Sequence, residues 1–330
     1  MLIRCMGSTL AAAAYDRPMR AVAQHEYGEP EVLVVEEVAT PRPIPTEVQV
    51  RVHAAGVNPV DFKTRAGEGV AGIIGEPPVC LGWDVSGVVT EVGGGVTRFR
   101  VGEEVFGMPW FPRQAGAYAE YVTAPSRHFA AKPHPLSHEE AGALPLAGLT
   151  AWQIVVETIA LEDGADILIH GAAGGVGHLA VQIAKARGAN VIGTARAEQA
   201  DWLRELGAAE TIDYKSERFE DRVADLDAVI DFTGTYGERS LPVLRPGGIL
   251  VSVPSGVSQD LLDLAKRSNR RATGFLVEPD PVGLAGLCHL VEVGHLQIKV
   301  DRVFDLEDAA AAHRLAEAGH SGGKIVLRVP

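Results

Sequence analysis

Gly171, Gly174 and Gly177 follow one another at three-residue intervals. They come directly after the apolar run Asp166-Ile-Leu-Ile-His170 and directly before Leu179 to Ala186, which continues at helical period. A buried strand, a glycine turn and a helix start in that order make an anion site. Missing β-carbons let the backbone approach phosphate oxygens, and the unpaired N–H groups of a first helical turn face negative charge. The spacing predicts a dinucleotide pyrophosphate at Gly174, Gly175 and Val176. Ala172 stands where the commonest G-x-G-x-x-G pattern has its first glycine.

The next strand tells the dinucleotides apart. Gly188 to Arg196 reads as a short strand about 20 residues past the turn, where NAD sites place an acidic residue on the ribose hydroxyls. Here the tip is Thr194-Ala195-Arg196. A carboxylate would repel a 2′-phosphate, whereas a guanidinium pairs with it through two N–H groups. NADP(H) is the expected cofactor, with Thr194 and Arg196 at its adenosine end. The alternative is that Arg196 is a solvated surface charge and that Glu198 serves the ribose.

These elements need a chain that can hold two cores, and 330 residues suffice. Apolar content of 46% and charged content of 22% are those of a globular protein. A net charge of −13, with no basic stretch to offset it, argues against nucleic acid as a partner. No apolar run approaches the ~18 residues that cross a bilayer. Cys5, Cys80 and Cys288 are few and far apart, which suggests a reducing, cytoplasmic setting and no disulfide framework. Residues 1–18 read as a disordered extension ahead of Met19.

Residues 19–145 carry alternating strands. Val48-Gln-Val-Arg-Val-His53, Val85 to Val92 and Ala117 to Val122 are examples, with turn residues between them. From Leu146 the pattern changes to strands alternating with helices. The strands expected are Asp166–His170, Asn190–Thr194, Glu210–Ile212, Ala228–Asp231, Gly248–Val253 and Thr273–Val277. That is the pattern of an α/β doubly wound parallel sheet. A helix from Val282, a strand Lys299–Phe304, a helix Leu306–Ala318 and a strand Lys324–Val329 are too short for a third domain and should fold back on the first.

In this succession of motifs the chain resembles the medium-chain dehydrogenase/reductase superfamily, over residues 19 to 330. Ala55-Gly-Val-Asn-Pro-Val-Asp-Phe-Lys-Thr-Arg-Ala-Gly67 is similar to the zinc-free quinone oxidoreductases (zeta-crystallin-like) and enone reductases. Leu81-Gly-Trp-Asp-Val-Ser-Gly-Val88, Gly102 to Gly107, Gly116 to Tyr121 and Gly322-Gly-Lys-Ile-Val326 support the likeness. The resemblance implies a β-rich GroES-like catalytic domain over 19–145 and 284–330, and a Rossmann NADP-binding domain over 146–283. Zinc-dependent members have a cysteine near the position of Asn58 and a histidine after the glycine matching Gly82. Asn58 and Trp83 supply neither ligand, so the protein is expected to be metal-free.

The resemblance further implies hydride transfer from NADPH to a quinone or an α,β-unsaturated carbonyl, with Asn58 and Lys63 at the nicotinamide end. Lys63 either donates to the substrate oxygen or cofactor ribose, or delivers a proton, or is a solvated loop lysine. Asp61 either orients Lys63 or caps the following turn. Thr150, read as standing just before a long helix, resembles a phosphate-side threonine, and Tyr214 either contacts the adenosine phosphate or packs. Thr233 and Pro254 (with Ser255) follow strand ends that border the nucleotide. Phe275 and Val277 are expected on the last parallel strand, and Lys324 reaches the cofactor from the returning segment. Phe106, Met108, Trp110 and Phe111 either line an acceptor pocket or fill the domain interface. A homodimer follows if the Thr273–Val277 strands pair across a two-fold axis, as in relatives. A non-catalytic NADPH-binding sensor or structural protein, and an alcohol dehydrogenase-type carbonyl reductase, are the competing readings.

Overall fold

The computed structural model describes residues 18–254, 256–319 and 322–330. The extension read over residues 1–18 lies outside them except for Pro18, which opens the first strand, and Ser255 lies outside them too. The chain forms two compact units. One holds the described residues up to Leu149 with Glu278–Glu292 and Ile298–Pro330; the other holds Thr150–Val277 and Val293–Gln297.

The first unit begins with strands β1 (Pro18–Gln24), β2 (Val34–Ala39), β3 (Glu47–Val57), β4 (Val79–Cys80), β5 (Val85–Val92), β6 (Glu104–Gly107), β7 (Tyr121–Pro125) and β8 (Phe129–Ala131). β1 lies between β2 and β4 in a small antiparallel sheet. β3 is the organising strand of a larger one, pairing with β5 from Val48 to Ala54 and with β7 from Glu47 to Arg51. Val48, Val50 and Val52 alternate into the core with no exposure. A one-residue slip would turn all three outward, at about 1.5–3 kcal/mol for each buried aliphatic side chain, so the register is set by burial.

The second unit is a six-stranded parallel sheet made of β9 (Asp166–His170), β10 (Asn190–Ala195), β11 (Glu210–Asp213), β12 (Leu226–Asp231), β13 (Leu244–Ser252) and β14 (Arg271–Gly274). Its order is β11-β10-β9-β12-β13-β14, every neighbouring pair parallel. The chain thus winds outward from β9 in both directions, which is the Rossmann doubly wound arrangement. Leu168, Val229 and Leu250 are fully buried on adjacent strands. The last expected strand is corrected: it ends at Gly274, so Phe275 and Val277 follow it and are not on it.

The chain then returns to the first unit. Helix Pro281–Glu292, β15 (Val300–Asp305), helix Ala309–Glu317 and β16 (Lys324–Arg328) follow. β16 completes the larger sheet by pairing antiparallel with the end of β3, Ile325 opposite Val57. The fold class is therefore a Rossmann sheet with a β-rich GroES-like unit. One reading shifts. The strand expected over Ala117–Val122 begins at Tyr121, because Ala117 and Tyr118 hydrogen-bond through their amides to Gly82 and Leu81. Cys288 is a free thiol. No described helix is long and apolar enough to cross a membrane.

Candidate active site

In the second unit, β9 ends at His170 and the backbone turns at Gly171, whose φ of +70° suits glycine. Helix Gly177–Ala186 starts six residues on. A β-carbon on Gly177 would lie 2.1 Å from the Gly171 carbonyl oxygen and 2.8 Å from Ala172 Cα. Strand and helix therefore meet backbone to backbone at this point. Ala172, in place of the usual glycine, is accommodated from the other side: a β-carbon on Gly193 of β10 would lie 2.9 Å from the Ala172 methyl.

The first amides to bond back are His178 to Gly174 and Leu179 and Ala180 to Val176. Among the described residues, the amides of Gly175, Val176 and Gly177 have no hydrogen-bond acceptor. Gly174, Gly175 and Val176 are partly exposed. Three open donors at the positive end of a ten-residue helix fit the pyrophosphate of a dinucleotide.

The Thr194 side chain is buried, and its hydroxyl lies 3.2 Å from His170 Nδ1 and accepts the Gly171 N–H at 3.4 Å. It braces the glycine turn. His170 also meets the Ser240 hydroxyl at 3.3 Å and stacks on Tyr236, and burial takes its pKa down to about 4. Arg196 emerges directly after β10 and pairs with Glu198 at 3.3 Å, both side chains reaching solvent. Tyr214 emerges directly after β11 on the neighbouring strand, its amide donating to the Ala195 carbonyl, and its side chain is exposed. The two tips therefore stand side by side.

The remaining positions vary. The Thr233 hydroxyl donates to Asp231, whose carboxylate also accepts the amides of Thr233, Gly234 and Tyr236. Pro254 is exposed two residues past β13. Thr150 is corrected: it is buried inside helix Pro145–Trp152, which continues as a π-helical turn over Gln153–Thr158. Val277 is buried and Phe275 is half-buried.

The first unit holds a buried polar cluster where β3 runs into helix Pro59–Arg65. Asn58 begins that helix, and the Asp61 carboxylate accepts the Asn58 amide N–H at 2.6 Å. Of the two readings of Asp61, capping is the one found. The Asn58 side chain donates to Asp84 Oδ2 at 2.8 Å, and its Oδ1 accepts from Lys324 Nζ. Lys324 also donates to the Val57 carbonyl at 3.2 Å and lies 4.0 Å from Asp84. Asn58 and Lys324 are buried and bonded to each other, so both polar ends of the amide are occupied. Lys63, on the same helix, is half-buried.

A chain of hydrogen bonds leads away from Asp61. Arg65 lies on the His313 Nδ1 side at 3.4 Å, Tyr118 OH lies 3.3 Å from His313 Nε2, and Tyr118 OH donates to Asp61 at 2.9 Å. A guanidinium only donates, so Nδ1 accepts, the imidazole proton sits on Nε2, and that proton points at the Tyr118 oxygen. Burial, and then the Arg65 charge, push the His313 pKa down to about 3, which keeps the ring neutral. Burial pushes Asp61 up to about 7 and Asp84 up to about 6, the latter against the pull of Lys324. Burial likewise lowers the Lys324 pKa and raises that of Tyr118. Asp84, Tyr118, Arg65 and His313 escaped the sequence reading. The first three sit inside motifs that carry the resemblance, but nothing local marks them as partners.

Trp83 is buried and donates through its indole to the Arg113 carbonyl at 2.7 Å. Among the described residues no three His, Cys, Asp or Glu side chains are grouped to hold a metal. Phe106, Met108 and Phe111 are buried, Phe111 edge-on to Trp83, and Trp110 donates to the Thr123 carbonyl.

Comparison with known proteins agrees with this geometry. The family described as alcohol dehydrogenase GroES-like domain matches residues 44–134, and the family described as zinc-binding dehydrogenase matches residues 206–327. A 2-haloacrylate reductase from Burkholderia sp is 34% identical over 330 residues, covering 93% of this chain and 98% of its own. The solved quinone oxidoreductase from Coxiella burnetii is 39% identical with a TM-score of 0.90, covering 95% of this chain and all of that one. An Escherichia coli quinone oxidoreductase complexed with NADPH is 28% identical with a TM-score of 0.81, covering 94% and 99%. By these likenesses the chain belongs to the medium-chain dehydrogenase/reductase superfamily, in its zinc-free quinone and enone reductase branch.

Proposed function

We propose that this protein is an NADPH-dependent reductase of quinones or α,β-unsaturated carbonyl compounds. The observation that carries the reading is the glycine turn, with three open amides at the end of the first strand of a Rossmann sheet. Bound there, NADPH supplies a hydride from C4 of its nicotinamide. Gly175, Val176 and Gly177 hold the pyrophosphate through their N–H groups. Arg196 pairs with the adenosine 2′-phosphate, exchanging Glu198 for the more highly charged partner, and Tyr214 flanks it. With Asn58 and Trp83 where a zinc site would need ligands, no Lewis acid is provided for a simple alcohol. An acceptor that spreads the arriving charge over an enolate or a hydroquinone needs only donors, and Lys63 is the donor assigned. The named activities of the Burkholderia, Coxiella and Escherichia relatives support this class of acceptor.

Absorbance loss of NADPH with 1,4-benzoquinone and a panel of enones is the test. Turnover is expected with at least one of them, and Lys63→Ala should lower kcat by about tenfold or more with little change in NADPH affinity. Tight NADPH binding without turnover of any acceptor would replace the reductase with a binding protein. Arg196→Ser should weaken NADPH by about tenfold to a hundredfold and leave NADH unchanged, the value of a charge-assisted pair being about 1.5–3 kcal/mol. If the variant affects both cofactors equally, Glu198 and not Arg196 selects.

Two chains are proposed to pair through β14. It is the edge of the parallel sheet, and Leu276 just beyond it is 56% exposed. An open edge offers unpaired N–H and C=O groups to a second copy. Light scattering at twice the mass of one chain is the expected result.

A further inference from the structure

The Lys324 ammonium sits among oxygens only. It donates to the Val57 carbonyl and to Asn58 Oδ1, with Asp84 Oδ2 at 4.0 Å, and the side chain is 4% exposed. A buried ammonium costs several kcal/mol unless its surroundings repay it, so an ordinary packing role would be filled better by an aliphatic residue. Its placement supplies the reason. Lys324 opens β16, Val57 ends β3, and Asn58 begins helix Pro59–Arg65, so one charge ties three chain segments at the point where strand becomes helix.

The tie is directional. Asn58 Oδ1 faces the ammonium and its NH2 group faces the Asp84 carboxylate. Rotating the amide by half a turn would set NH2 against the ammonium and oxygen against the carboxylate, two like-charged contacts in a dry site. The Asn58 amide is therefore locked, and with it the start of the helix that carries Lys63.

We propose that Lys324 is a positioning residue, an internal cation that locks the Asn58 amide and so orients the helix bearing Lys63. The inference deepens the reductase reading and rests on its assignment of Lys63. Lys324→Ala removes three methylenes and the ammonium, leaving room for propylammonium, whereas Lys324→Met fills the space without charge. Both variants are assayed for NADPH-dependent quinone reduction and for thermal melting, in propylammonium chloride against sodium chloride at equal ionic strength. In both, kcat should fall about tenfold or more while the NADPH Kd changes by less than about threefold. Propylammonium should restore kcat and raise Tm in Lys324→Ala alone.

Asn58→Ser, which leaves the ammonium with Val57 and Asp84, should show the same loss of kcat and serves if the alanine variant does not fold. A folded Lys324→Met with full kcat overturns the proposal. An NADPH Kd that rises as far as kcat/KM falls also overturns it, since Lys324 then holds the cofactor. Wild-type protein inactive with every acceptor would sink the reductase reading instead, and the propylammonium effect on Tm would still decide the lock.

Discussion

Alanine at position 177 is expected to abolish practical NADPH binding, weakening it by about a hundredfold or more, an affinity loss of about 2.7 kcal/mol. The added methyl carbon would stand 2.1 Å from the Gly171 oxygen and 2.8 Å from both Ala172 Cα and its carbonyl oxygen. Those are backbone atoms of the turn itself, and they cannot rotate away as the end of a side chain can. Relief requires the helix start to move off β9, which carries the three open amides with it. Overpacking of this kind costs about 1–3 kcal/mol of stability besides. Gly174→Ala is the comparison, because its β-carbon would meet only the Gly171 oxygen at 3.2 Å. Calorimetric titration of both variants should separate them by at least about tenfold. Equal affinities would mean that the close strand–helix contact does not set the amides.

Arg65→Met should destabilise the first unit by about 3–5 kcal/mol, as removal of one partner from a buried charge pair does. The guanidinium is almost fully buried and serves three acceptors: the Gly28 carbonyl at 2.9 Å, Glu317 at 2.6 Å and His313 Nδ1. Methionine fills much of the volume and satisfies none of them. Glu317 is 31% exposed and can turn to water, so Glu317→Gln should cost only about 1 kcal/mol. Scanning calorimetry of the two variants tests the asymmetry. A second readout follows from charge. Arg65 is one of the causes that hold His313 neutral, so its loss should move the His313 pKa upward, as read by NMR titration of the ring. An unmoved His313 in a folded variant would contradict the network.

Local pattern carried much of the fold. β5 and β9 begin and end where alternation and apolar runs placed them, because a strand's burial is written in its own residues. The segment Ala117–Val122 departs from its pattern for the same reason: Ala117, Tyr118 and Ala119 are all buried, but their enclosure comes from Gly82, Leu81 and Ala21 rather than from a continuing ladder. Periodicity reports burial and leaves the agent of burial unnamed. Thr273–Val277 fared likewise, since apolar residues past Gly274 continue the pattern after the pairing with β13 has stopped.

The residues alone determined the glycine turn, the basic tip at Arg196 and the succession of β-rich and alternating halves, since each depends on neighbours within a few positions. Tertiary structure decided where the charges of the first unit go. Lys324 and Asn58 are 266 positions apart, and Arg65 and His313 are 248 apart, so no spacing rule joins them. Thr194 tops a strand, and its hydroxyl turns inward to His170 on the adjacent strand. The physical reason is common to all of these. A buried polar group must be satisfied by whatever the folded chain brings within reach, and only the pairing of β3 with β16 and of β9 with β10 sets that reach.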